Sequence, residues 1–142
     1  MTDPAPASAH DLVKGPGPGS AWRVLVVEDD VLIRTDIEGT LDDGGFAVVG
    51  APTDLKSAMA FVETRSRQID CALIDVELGG HSCRPLVAAM EKLRIPYMLV
   101  TAHSEDTVRD MGYTGPVVEK PFTAPELSAC LSNLVSRKPQ EA

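Results

Sequence analysis

The sequence predicts a single α/β domain built on a five-stranded parallel sheet with helices on both faces. Two observations predict it. Short apolar runs alternate along the chain with segments whose apolar residues recur every three or four positions, and the central runs are apolar at every position. Strands covered on both sides require such runs, and strict strand–helix alternation gives βαβ units. A third observation concerns where these runs end. Four of them run into a polar cluster, so carboxylates, a hydroxyl and an ammonium gather at one rim of the sheet.

Residues 1–20 hold four Pro and three Gly and close with Gly15-Pro16-Gly17-Pro18-Gly19-Ser20. They read as a flexible, disordered leader, unable to bury enough apolar surface to order itself. Its glycines do not make a phosphate cradle, because Pro16 and Pro18 lack backbone donors and the run precedes the first strand. The domain then spans 21–136. Arg23–Val27 is the first strand, and Asp30–Leu41 a helix with Ile33, Ile37 and Leu41 on one stripe, stopped by Gly44-Gly45. Phe46–Val49 is the second strand. Asp54–Arg65 is the second helix, with Leu55, Ala58, Phe61 and Val62 on one face. Cys71–Ile74 is the third strand, and Pro85–Leu93 a helix with proline in its first turn, where a missing N–H costs little. Tyr97–Val100 is the fourth strand, Ser104–Met111 a short, weakly apolar helix, and Val117–Val118 the fifth strand. Ala124–Val135 closes the domain with Leu127, Leu131, Leu134 and Val135 inward, and residues 137–142 form a polar tail.

The formal net charge of −8 argues against nucleic acid as a direct partner, since phosphate backbones are met by clustered Lys and Arg. No apolar stretch approaches the roughly 20 residues of a membrane span, and the N-terminus shows no secretory signal. Cys71, Cys83 and Cys130 are odd in number and scattered, which suits reduced thiols in a cytoplasmic protein and neither disulfides nor a zinc site. Cys71 reads as packing inside the sheet and Trp22 as cover for an edge of the core.

The chemistry lies at the strand ends, where open parallel sheets place their functional crevice. The first strand runs into Glu28-Asp29-Asp30, the third into Asp75 with Glu77 close behind, the fourth into Thr101, and the fifth into Glu119-Lys120-Pro121. Asp30 serves equally well as the cap of the first helix. Carboxylates this close need a counter-charge, and a hard divalent cation with oxygen ligands, magnesium above all, supplies it. A carboxylate is also a nucleophile toward phosphoryl donors, giving an aspartyl-phosphate that Lys120 and Thr101 are chemically suited to bind.

The stretches Val24-Leu25-Val26-Val27-Glu28-Asp29-Asp30, Leu73-Ile74-Asp75-Val76, Val100-Thr101-Ala102 and Glu119-Lys120-Pro121-Phe122 resemble the four signatures of response-regulator receiver domains of two-component signalling, over roughly residues 22–136. The resemblance implies a flavodoxin-like (βα)5 fold with strand order 2-1-3-4-5. It implies that Asp75 is the phosphoacceptor and that Asp29 ligates Mg2+ directly together with Asp75. The backbone carbonyl of Glu77 would be a further ligand, and Glu28 would complete the acidic pocket through water. Thr101 would be the switching hydroxyl, Lys120 the phosphate-binding ammonium and the backbone of Ala102 a phosphate contact. Pro121 would follow a cis peptide bond. The implied partners are a histidine kinase or histidine phosphotransfer protein and a downstream protein, met on the face of the fourth helix, fifth strand and last helix.

Two features depart from the family. Val117 stands three residues before Lys120, where an aromatic is usual, and the stretch from Thr101 to Lys120 is short. Some alphaproteobacterial single-domain receivers share these traits, although Tyr97-Met98-Leu99-Val100-Thr101-Ala102 replaces their aromatic-Ala-Thr-Gly stretch. The departures suggest that phosphorylation acts by an order–disorder change across 102–115, without an aromatic rotamer flip, since Gly112, Gly115 and Pro116 follow the short, weakly apolar helix. No residues remain for an output domain, so signalling by protein contact is expected, unless the receiver is cut from a longer protein. Two other readings stand beside this one. One is a scaffold that never carries phosphate. The other is an aspartate-nucleophile phosphatase, which needs a second Asp where this chain has Glu77.

Overall fold

The computed structural model describes residues 21–136, so the expected leader at 1–20 and tail at 137–142 lie outside the described residues. Five strands form one parallel sheet: β1 (Arg23–Val27), β2 (Ala47–Gly50), β3 (Cys71–Asp75), β6 (Tyr97–Thr101) and β7 (Val117–Glu119). Their order is β2-β1-β3-β6-β7, the 2-1-3-4-5 arrangement of the expected fold. Helices α1 (Val31–Asp43), α2 (Leu55–Arg65), α3 (Arg84–Leu93), α4 (Glu105–Asp110) and α5 (Ala124–Ser136) provide the crossovers and the closing element. Among the described residues, no helix is long and apolar enough to cross a membrane.

Period-two alternation explains how one sheet fills two cores. Val24 and Val26 of β1 face the layer of α1 and α5, with Ile37, Leu41, Leu127 and Leu131. Leu25 and Val27 face the other layer, with Ala58 and Val62 of α2, Leu86 and Met90 of α3 and Val108 of α4. Asp70 ties the sheet together at its opposite end. Buried, it accepts the Arg23 backbone amide at 2.7 Å and the Arg23 guanidinium at 3.0 and 3.1 Å.

The boundaries have local causes. Asp30 caps α1, its Oδ1 accepting the amides of Leu32 at 2.9 Å and Ile33 at 3.1 Å. At the other end Gly45 takes a left-handed φ of 83°, and the Phe46 amide turns back to the Leu41 carbonyl at 2.9 Å. That bond keeps Phe46 with the helix end, so β2 begins at Ala47, one residue later than its apolar run suggests. Helix α4 is capped by Ser104, whose Oγ accepts the Thr107 amide at 3.1 Å, and it is shorter than the expected 104–111.

One element is new. The antiparallel hairpin β4 (Glu77–Leu78) and β5 (His81–Ser82) occupies the stretch between β3 and α3. Gly79 and Gly80 form its two-residue turn with φ of 57° and 84°, a conformation glycine adopts without strain.

Candidate functional site

Parallel register brings the four polar clusters to one rim. Asp75 pairs with Val100, and Thr101 with Glu119, so the ends of β3, β6 and β7 stand side by side with the end of β1. Glu28, Asp29 and Asp75 each offer a carboxylate oxygen within 4.8 Å of the others. Glu28 and Asp75 are buried, at 1% and 7% exposure, while Asp29 faces solvent. Asp30, the remaining acid of the run, is used as the helix cap.

Lys120 joins the two buried acids. Its Nζ donates to Asp75 Oδ2 at 2.9 Å and stands 3.0 Å from Glu28 Oε1. The second approach has the distance of an ion pair but not the angle of a hydrogen bond, so this buried oxygen has no hydrogen-bond donor. Burial pushes the Glu28 carboxyl up to about 7. Asp75 reinforces the rise, and the Asp30 amide and Lys120 oppose it. Burial also works against the Lys120 ammonium, but the hydrogen bond to Asp75 and the attraction of Asp75 and Glu28 outweigh it and hold the group above its ordinary value.

The remaining expected residues surround this centre. Glu77 is exposed, and its backbone amide donates to Asp75 Oδ1 at 3.0 Å. Its side chain lies 3.6 Å from His103 Nε2, across the mouth of the site. Thr101 is buried, and its Oγ1 accepts the His103 amide at 3.0 Å, a bond within its own turn and not to Asp75 or Lys120. Ala102 is exposed beside it. The Lys120–Pro121 peptide is cis.

Gly79 belongs to the site and was not anticipated. Its amide donates to Asp29 Oδ2 at 2.8 Å, closing the hairpin turn over the acidic pocket. A backbone donor has no side-chain signature. The Gly79-Gly80 pair between two short polar-apolar stretches was nevertheless a readable hairpin signal.

The donor set suits a hard divalent cation. Three carboxylates face one ammonium, leaving the pocket two negative charges in excess when all are ionised. The donor-free Glu28 Oε1 is the kind of buried oxygen that a cation or its bound water satisfies.

Comparison with known proteins agrees with this geometry. Residues 24–132 match the family described as response regulator receiver domain. The transcriptional regulatory protein PdtaR of Mycobacterium tuberculosis is 30% identical over 120 residues, covering 81% of this chain and 57% of that protein. The phosphate regulon transcriptional regulatory protein PhoB of Rhizobium meliloti is 32% identical over 126 residues, covering 84% of this chain and 54% of that protein. The chain thus spans a little over half the length of these relatives. Among solved structures, SdrG from Sphingomonas melonis Fr1 superposes with a TM-score of 0.70 at 33% identity, covering 81% of this chain and 97% of SdrG. Receiver domains are signalling modules of two-component systems. They bind magnesium at an acidic pocket and interact with histidine kinases or phosphotransfer proteins and with downstream partners. With the family matched over most of its length and the acidic pocket, buried Asp75 and Lys120 gathered at the strand ends, this chain belongs to the response regulator receiver domains.

Proposed function

We propose that this protein takes a phosphoryl group from a histidine kinase or a histidine phosphotransfer protein onto Asp75, loses it again by hydrolysis, and signals its state by protein contact. The observation that carries this reading is Lys120 set 2.9 Å from Asp75 and 3.0 Å from Glu28, inside a pocket that Asp29 completes. Lys120 and the Glu77 amide each hold one oxygen of the Asp75 carboxylate and so orient it, as its role as nucleophile requires.

In the transfer, a carboxylate oxygen of Asp75 forms a bond to phosphorus as the phosphorus–nitrogen bond of the donor's phosphohistidine breaks. The imidazole leaves with the bonding electrons and takes a proton from solvent. Asp29, Asp75 and the Glu77 carbonyl would hold Mg2+, with Glu28 reached through water, and the ion supplies charge neutralisation for the incoming phosphoryl group. Once Asp75 is an acyl phosphate, Lys120 pairs with a phosphoryl oxygen. The Thr101 hydroxyl and the Ala102 amide are the neighbouring donors for the other oxygens. Phosphorylation then reorganises residues 102–115.

Incubation with acetyl phosphate, with and without magnesium, followed by intact mass tests the reading. A magnesium-dependent phosphoryl adduct that decays with time and is absent from Asp75→Asn is expected. Wild-type protein that takes up no phosphoryl group would instead mark a binding scaffold, and turnover of external phosphoesters a phosphatase.

A further inference from the structure

We propose that Tyr113 is the aromatic that reads the state of the pocket, through hairpin β4–β5, and so controls the order of the segment 102–115. The proposal rests on Asp75 being the phosphoacceptor and concerns how that site is coupled to its surroundings.

The hairpin is tied at one end to both acids. The Glu77 amide donates to Asp75 Oδ1 at 3.0 Å, and the Gly79 amide to Asp29 Oδ2 at 2.8 Å. These are the oxygens that a phosphoryl group on Asp75 or a cation at Asp29 draws on. Esterification also turns the charged Asp75 acceptor into a neutral one, which weakens its bond to the amide. Occupation of the pocket therefore changes what holds the hairpin.

At its other end the hairpin meets Tyr113. Ser82 Oγ lies 3.0 Å from the Tyr113 hydroxyl, and Cys83 Sγ lies 3.6 Å from the same oxygen. The Arg84 guanidinium covers the ring at 4.7 Å. Tyr113 is only 4% exposed, although it follows the six-residue helix α4 in a loop. So short a helix has little stability of its own and depends on such anchors. An open pocket of about 330 Å³, lined by Val76, Glu77, Gly80, His81, Met111 and Tyr113 among others, lies beside the Ser82–Tyr113 contact, so hairpin and loop meet there without close packing all round. The competing route runs through Thr101, whose hydroxyl holds the His103 amide at the start of the same segment.

Amide hydrogen exchange on wild type, Tyr113→Phe and Ser82→Ala, each with magnesium and with or without acetyl phosphate, separates the routes. In wild type, phosphorylation is expected to speed exchange across 105–113. In unphosphorylated Tyr113→Phe that exchange is expected to be at least about fivefold faster already, the effect of losing the neutral hydrogen bond with Ser82 and the weaker one from Cys83, and phosphorylation should add little more. Ser82→Ala, at an exposed position, removes the other partner together with the bond that Ser82 Oγ accepts from the Arg84 amide at 3.1 Å, and must also speed the exchange and blunt the response. If both variants exchange and respond like wild type, or if the two disagree, the proposal is overturned and the Thr101 route stands. Intact mass on the same samples identifies the other failure: no adduct in wild type overturns the phosphoacceptor reading and this coupling together.

Discussion

Lys120 faces two buried carboxylates, and its removal has a defined electrostatic result. In Lys120→Met, Glu28 and Asp75 are left unpaired in a poorly solvated pocket. Breaking a buried ion pair from one side costs about 3–5 kcal/mol, so urea denaturation at pH 8 is expected to show a loss of that order. At pH 6 part of it should return, because Glu28 then takes up a proton. The Glu28 carboxyl, lifted by burial from 4.5 to about 7, makes a second prediction. Between these values the folded protein holds a proton that the unfolded chain releases. The metal-free protein therefore loses stability as pH rises from about 4.5 through about 7, by on the order of 3 kcal/mol. Glu28→Gln should flatten that slope. Magnesium should restore stability above pH 7 in wild type and do so progressively less as Glu28 protonates below it. Thermal melts across this range, with and without magnesium, check both statements.

Adjacent acids in the turn between β1 and α1 divide their labour. Asp30 accepts both of its hydrogen bonds from amides at the start of α1, whereas Asp29 accepts one from Gly79 across the pocket. Asp30→Ala is expected to lower stability by about 1 kcal/mol, the ordinary value of a helix cap, and to leave magnesium-dependent stabilisation in place. Asp29→Ala should abolish the magnesium response at little cost to the metal-free fold. Equal effects from the two would contradict the division. The helices and the five main strands were legible because both cores are filled from alternating apolar positions. The pocket acids and Lys120 were legible because each stands within two residues of the end of an apolar run. What was not legible depends on backbone bonds. The Phe46 amide closes α1 and delays β2, and the Gly79 amide ties an unanticipated hairpin to Asp29. The anchoring of Tyr113 depends on Ser82, 31 positions away in sequence, which no local pattern reveals.

At the scale of the molecule, a sheet covered on both faces by α1 and α5 on one side and by α2, α3 and α4 on the other leaves its polar residues one place to converge, the carboxyl rim. That rim holds a rigid part, the pocket at the ends of β1, β3 and β7, and a weakly anchored part, the hairpin and the segment around α4. On the proposed coupling, a charge change made in the first is felt in the second. The most direct test of this arrangement is to locate the phosphoryl group itself. After incubation with magnesium and acetyl phosphate, borohydride reduction converts an acyl-phosphorylated aspartate to homoserine, which peptide mass mapping then assigns to a position. The predicted result is homoserine at residue 75 and nowhere else. Homoserine at residue 29 or elsewhere, or its absence from protein shown to be folded and magnesium-bound, would contradict the assignment of Asp75.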